Sequence, residues 1–153
     1  MINIWFGNED GPPPLSRPVI AEPNRLATSV PPRILIVEDE LFVAWQLEAI
    51  VQDLHFEVCG LIPDGEQALE KARELDPNVI LMDLNLGGQI DGIDAAQEIR
   101  RYRKTSIIFV TAYTDEATLR RIKAAFPEAP VLAKPVSPNE LSRAIAAVLK
   151  RGD

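Results

Sequence analysis

Val79-Ile80-Leu81-Met82-Asp83 is the stretch that decides how this chain folds. Four apolar residues, two of them β-branched, run straight into a carboxylate, and Leu84-Asn85-Leu86-Gly87-Gly88 follows. A short unbroken apolar run bounded by turn residues is the pattern of a strand buried on both faces, hence a central strand of a parallel sheet. Open α/β sheets bind ligands just beyond the carboxyl ends of such strands, so Asp83 stands where a reactive group belongs. A lone strand-end aspartate more often serves only to cap or turn the chain. The other strand ends decide between the two roles.

Upstream, Ile34-Leu35-Ile36-Val37 repeats the buried-strand pattern and ends at Glu38-Asp39-Glu40. A helix follows from about Leu41 to Leu54, with Val43, Leu47, Ile50, Val51 and Leu54 on its buried face. Phe42, Trp45 and Ala49 make a second apolar stripe beside it, either a rim of the core or a docking surface. His55 falls where a positive φ would close the helix, a conformation that histidine tolerates. Phe56-Glu57-Val58-Cys59-Gly60 reads as a short edge strand. Asp64-Gly65-Glu66-Gln67 has the form of a capping box, opening a helix with Ala68, Leu69, Ala72 and Leu75 inward, and Asp76-Pro77 stops it.

Downstream of Asp83 come a loop bearing Gly87, Gly88 and Gly92 and a helix through Ala95, Ala96 and Ile99. Ile107-Ile108-Phe109-Val110 is another buried strand, ending at Thr111-Ala112-Tyr113. A helix from about Asp115 to Phe126 carries Leu119, Ile122 and Ala125. Val131-Leu132-Ala133 is the last strand and ends at Lys134-Pro135. Ser137-Pro138-Asn139-Glu140 is a second capping box, with proline at the first helical position. It opens a helix with Leu141, Ile145, Val148 and Leu149 inward. Five strands in strict alternation with five helices predict an α/β fold, an all-parallel sheet covered on both faces by right-handed crossovers.

The ends and the composition narrow the classes. Residues 1–32 hold seven of the thirteen prolines, which predicts a disordered or extended arm opening on the apolar Ile2, Ile4, Trp5 and Phe6. Residues 33–150 form the domain and 151–153 a tail. A net charge of −7 argues against direct nucleic-acid binding. The cluster Arg100, Arg101, Arg103 and Lys104 fits a helix C-terminus, where cations complement the dipole. One cysteine, Cys59, excludes an intrachain disulfide and a thiolate metal cluster. No apolar run approaches the roughly 18 residues of a membrane span, and no signal peptide opens the chain, so the expectation is a soluble cytoplasmic protein.

The strand ends deliver Glu38 and Asp39, Asp83, Thr111 and Lys134 to one crevice. Crowded carboxylates raise one another's pKa unless a cation sits among them. Oxygen ligands with room for water suit Mg²⁺, and a lysine and a hydroxyl opposite suit phosphoryl oxygens. The combination describes phosphoryl transfer onto a carboxylate.

On these residues the chain resembles the receiver domain of bacterial response regulators. The resemblance runs through Ile34-Leu35-Ile36-Val37-Glu38-Asp39-Glu40, Val79-Ile80-Leu81-Met82-Asp83-Leu84, Val110-Thr111-Ala112 and Ala133-Lys134-Pro135, and it covers residues 33 to 150. It implies a flavodoxin-like, doubly wound five-stranded sheet of order 2-1-3-4-5 with five helices. It also implies that Asp83 accepts a phosphoryl group from a phosphohistidine on a sensor histidine kinase or histidine phosphotransfer protein. Mg²⁺ would be held by Glu38, Asp39, Asp83 and the backbone carbonyl of Asn85, with Thr111 and Lys134 on the phosphoryl oxygens. A cis Lys134-Pro135 bond is expected on the same ground. One position departs: many receivers carry an aromatic three residues before the lysine, and here it is Val131. The nearest aromatic is Tyr113, and Phe109-Val110-Thr111-Ala112-Tyr113 resembles the corresponding segment of atypical single-domain receivers.

The expected protein is therefore a phosphoacceptor rather than an enzyme, signalling by protein contact without an output domain. A phosphate sink and a receiver-like module that is never phosphorylated are the alternatives. A haloacid-dehalogenase-type phosphatase would need a second acid where Asn85 stands, and a flavodoxin-like cofactor binder would need a phosphate loop where Glu38-Asp39-Glu40 repels phosphate.

Overall fold

A computed structural model describes residues 30–152. The proline-rich arm lies outside the described residues except for Val30, Pro31 and Pro32, as does Asp153 of the tail.

The strands are β1 (Arg33–Val37), β2 (Glu57–Ile62), β3 (Val79–Met82), β4 (Ser106–Thr111) and β5 (Val131–Ala133). They alternate with α1 (Leu41–Asp53), α2 (Gly65–Leu75), α3 (Gly92–Tyr102), α4 (Glu116–Ala125) and α5 (Pro138–Gly152). All pairings are parallel and the order is β2-β1-β3-β4-β5, as expected. β3 is central and every one of its four residues is buried, which is why its sequence shows no alternation.

Side chains of successive strand residues point to opposite faces, so the sheet carries two cores. Ile34, Ile36, Val79, Leu81, Ile108 and Val110 pack against Leu47 and Val51 of α1 and Leu141, Ala144, Ile145 and Val148 of α5. On the other face, Leu35, Val37, Ile80, Met82, Ile107 and Phe109 meet residues of α2, α3 and α4.

The local signals hold with instructive exceptions. Asp64 accepts from the Gln67 amide at 2.8 Å, and Ser137 and Glu140 exchange the two bonds of a capping box at 3.1 and 3.2 Å. His55 and Asp76 both adopt positive φ, closing α1 and α2. Lys134-Pro135 is cis. β2 runs to Ile62, two residues further than expected, and a register shift opposite Ile34 and Leu35 leaves Cys59 unpaired before the ladder resumes at Gly60. In α4 the buried residue is Ile122, with Phe126 just beyond the helix, and Leu119 is exposed. In α1, Ala44, Leu47 and Val51 are buried while Val43, Ile50 and Leu54 are half-buried, so the inward face is rotated slightly from the expected one. Phe42 and Trp45 do not cover the core: they are 78 % and 48 % exposed, packed edge to face at 5.7 Å. Among the described residues no helix is long and apolar enough to cross a membrane.

Candidate functional site

Strand register builds the site. Val37 pairs with Met82, so the next residues, Glu38 and Asp83, emerge side by side. Their backbones stay in the ladder one step further, Asp83 N–H donating to Val37 O at 3.0 Å and Glu38 N–H to Ile62 O at 2.8 Å. Thr111 pairs with Ala133, and Lys134 N–H donates to Thr111 O at 3.0 Å, which brings the lysine in from the far strand.

Glu38, Asp39 and Asp83 offer carboxylate oxygens that all lie within 4.8 Å of one another. Glu38 and Asp83 are buried and Asp39 is exposed at the mouth. Lys134 Nζ donates to Glu38 Oε2 and lies 3.4 Å from Asp83 Oδ2. Burial pushes the Glu38 and Asp83 carboxyls above the usual range, and the ammonium only partly opposes it. Burial pulls Lys134 down, but its bond to Glu38 and the charge of Asp83 outweigh that, and its pKa ends above the ordinary lysine value. Three carboxylates face one ammonium, an excess of negative charge that a divalent cation would cancel. Oxygens this close suit a hard ion that keeps some of its water, so the donor set fits Mg²⁺.

Thr111 is fully buried, and its hydroxyl accepts from the Tyr113 amide at 2.9 Å, leaving the O–H free to donate. The exposed Asn85 side chain donates to the Tyr113 phenol oxygen at 3.4 Å. That bond bridges the loops after β3 and β4, and sequence spacing holds no signal for it. Asp83 Oδ1 accepts from the Leu84 amide at 2.8 Å, which fixes the carboxylate's rotation and leaves Oδ2 toward the lysine. Gly92 also escapes a sequence reading: a Cβ there would lie 2.0 Å from Asp83 O, so α3 starts directly against the aspartate's backbone. Cys59 lies on the edge strand β2, and burial raises its thiol above the ordinary range, which keeps it un-ionised.

An open five-stranded sheet of this order, with acids directly after β1 and β3 and a lysine after β5 at its carboxyl edge, defines the receiver class of α/β domain. The response regulator receiver domain model matches residues 34–146, and the chain belongs to that family, the signalling receivers of two-component systems. It is 34 % identical over 123 residues to the transcriptional regulatory protein PdtaR of Mycobacterium tuberculosis, covering 80 % of this chain and 59 % of that protein. It is 32 % identical over 120 residues to the chemotaxis protein CheY of Thermotoga maritima, covering 77 % of this chain and 98 % of that one. The signal receiver domain of a modulated diguanylate cyclase from Desulfovibrio desulfuricans superposes with a TM-score of 0.75 at 33 % identity, covering 80 % of this chain and 97 % of that one. The chain thus spans about three-fifths of PdtaR but nearly all of CheY. Receivers are signalling modules that interact with kinases or phosphotransfer proteins, and they generally bind Mg²⁺ at an acidic pocket.

Proposed function

We propose that Asp83 is the phosphoacceptor of this receiver. The carrying observation is the cluster of buried Glu38 and Asp83 with exposed Asp39, their oxygens within 4.8 Å and Lys134 alongside. Asp83 Oδ attacks the phosphorus of a phosphohistidine on a sensor histidine kinase or histidine phosphotransfer protein. The new P–O bond forms as the P–N bond breaks, and the imidazole keeps the electron pair and takes up a proton. Mg²⁺ bound by Glu38, Asp39, Asp83 and the Asn85 carbonyl would neutralise charge on the transferring group. Lys134 moves its donor from the carboxylates toward a phosphoryl oxygen, and Thr111 donates the O–H that the Tyr113 amide leaves free. Attack of water on the acyl phosphate reverses the modification, so the domain promotes its own phosphorylation and dephosphorylation.

The exposed pair Phe42 and Trp45, on the helix that follows Glu38 and Asp39, is the proposed docking face for the donor. The working compartment is the cytoplasm, where kinases of this kind draw on ATP, and output passes through protein contact.

Incubation with acetyl phosphate and Mg²⁺, followed by peptide mapping, tests the reading. Stable label on Asp83, absent from Asp83→Asn, supports it. Continuous release of phosphate would indicate a phosphatase, and no label would indicate an unphosphorylated interaction module. Label on another residue that persists in Asp83→Asn overturns the assignment.

A further inference from the structure

Glu66 stands inside a capping sequence, yet the cap is made without it. Asp64 takes the Gln67 amide at 2.8 Å and the Gln67 side chain at 2.8 Å. The Glu66 carboxylate turns away from its own helix and accepts from the Gln89 amide at 2.8 Å, across to the loop between β3 and α3. A carboxylate in the first turn of α2 is favoured there by the helix dipole.

Two glycines shape the same contact. A Cβ on Gly88 would lie 2.0 Å from Glu66 Oε1 and 3.0 Å from its Cδ, so residue 88 must lack a side chain while Glu66 is seated. Gly88 has no left-handed φ, so its need for glycine is this contact rather than backbone strain. A Cβ on Gly65 would lie 2.8 Å from Ile90 Cγ1, which marks close packing of the start of α2 on the same loop.

The loop has an inner and an outer anchor. Leu84 and Leu86 are buried, and Leu84 O accepts from the amides of Leu86 and Gly92 at 3.2 and 3.0 Å. Those contacts fix the part next to Asp83. The outer part passes Asp39, whose Oδ2 would lie 3.7 Å from a Cβ on Gly87, and is held at Gln89 by Glu66.

We propose that Glu66 is a positioning residue of the phosphoacceptor site. Its carboxylate, admitted by Gly88, latches the outer half of the β3–α3 loop to α2, steadies Gly87 where it runs past Asp39, and through it backs the inner turn that carries the Asn85 carbonyl. The proposal rests on the phosphoacceptor reading above. It gives Glu66 a part in metal affinity although Glu66 touches neither metal nor phosphoryl group.

The test compares wild type, Glu66→Ala, Glu66→Gln, Gly88→Ala and the double variant Glu66→Ala/Gly88→Ala. Exchange of the Gln89 amide is followed by NMR in metal-free protein, and Mg²⁺ binding by calorimetry. Glu66→Ala and Gly88→Ala remove the latch by different means, one deleting the carboxylate and one expelling it. Both should expose the Gln89 amide to exchange and raise the Mg²⁺ dissociation constant by about 10-fold, the low end for partners that orient metal ligands. Glutamine keeps an acceptor oxygen, so Glu66→Gln should stay near wild type, and the double variant should be no worse than either single. The Mg²⁺ concentration for half-maximal labelling by acetyl phosphate should rise by the same factor. If wild type labels on Asp83 while Glu66→Ala and Gly88→Ala bind Mg²⁺ as wild type does, the latch is refuted and the phosphoacceptor reading stands. If wild type neither binds Mg²⁺ nor labels, both fall.

Discussion

Replacing Asp83 with asparagine should make the metal-free protein more stable while removing the acceptor. Lys134 Nζ, at 3.4 Å, attracts the Asp83 carboxylate by about 5 kcal/mol at an effective dielectric of about 20. Glu38, within 4.8 Å, repels it by about 3.5 kcal/mol or more on the same scale. Asp39 is exposed and screened, and adds no more than about 1 kcal/mol. The pair terms nearly cancel, so the cost of burying the charge, several kcal/mol even after relaxation, sets the sign. The raised Asp83 pKa agrees, with burial as its first cause. Asp83→Asn at nearly constant volume should therefore stabilise the protein by about 2 kcal/mol, which is about 6–8 °C in Tm. The assay is urea unfolding in EDTA and in Mg²⁺. A hundredfold excess of Mg²⁺ over its dissociation constant adds about 2.7 kcal/mol to the wild type, which closes or reverses the gap. The gap should also narrow as pH falls. A carboxyl with a raised folded pKa binds its proton more readily when folded, so wild type gains stability down toward the ordinary Asp value of 3.8. An Asp83→Asn protein less stable than wild type in EDTA would refute the reasoning.

Lys134→Ala removes the ammonium from between two buried carboxylates and should cost about 3–5 kcal/mol without metal, measured by urea unfolding. Because its folded pKa is raised, the Lys134 contribution is complete below the ordinary value of 10.5 and disappears as pH climbs through the raised one, so the wild-type advantage should shrink only in strong alkali. Trp45→Ala trims a half-exposed ring, so unfolding should change by less than about 1 kcal/mol; phosphotransfer from the cognate kinase should slow while acetyl-phosphate labelling does not. Equal loss in both rates would remove α1 from the docking face. Gly92→Ala places a methyl 2.0 Å from the backbone oxygen of Asp83, where no side chain can yield, and should cost about 3 kcal/mol with a matching fall in Tm.

The sheet was legible because its strands are short apolar runs with nothing else to be, and because the helices at Gly65 and Pro138 open on capping boxes. Glu38, Asp39, Asp83 and Lys134 were legible as a set, since parallel strands must deliver their ends to one edge and all four residues stand at such ends. The strand-two bulge at Cys59 was not, because alternation does not record a slipped partner. The exposure of Leu119 was not legible either, because apolar residues three apart do not say which flank of a short helix the sheet will cover. The contacts of Glu66 and Tyr113 stayed hidden for a further reason. Their partners, Gln89 and Asn85, lie 23 and 28 residues away, on loops whose relative placement only the folded sheet determines.

Register between strands is, in effect, the ruler by which this site measures distance. Glu38 and Asp83 follow directly on the paired residues Val37 and Met82, and Lys134 follows directly on Ala133, the partner of Thr111. No flexible spacer lies between the hydrogen-bond ladder and these carboxylates and the lysine. Deleting one residue from β3 would carry Asp83 back by about 3.3 Å and turn its side chain to the opposite face of the sheet. Lengthening a connection at the amino edge, such as the turn at Pro77 and Asn78, would leave those distances untouched. Length variation compatible with phosphoryl chemistry is thereby confined to one edge of the molecule, and its tolerances in β1, β3, β4 and β5 are set in whole residues.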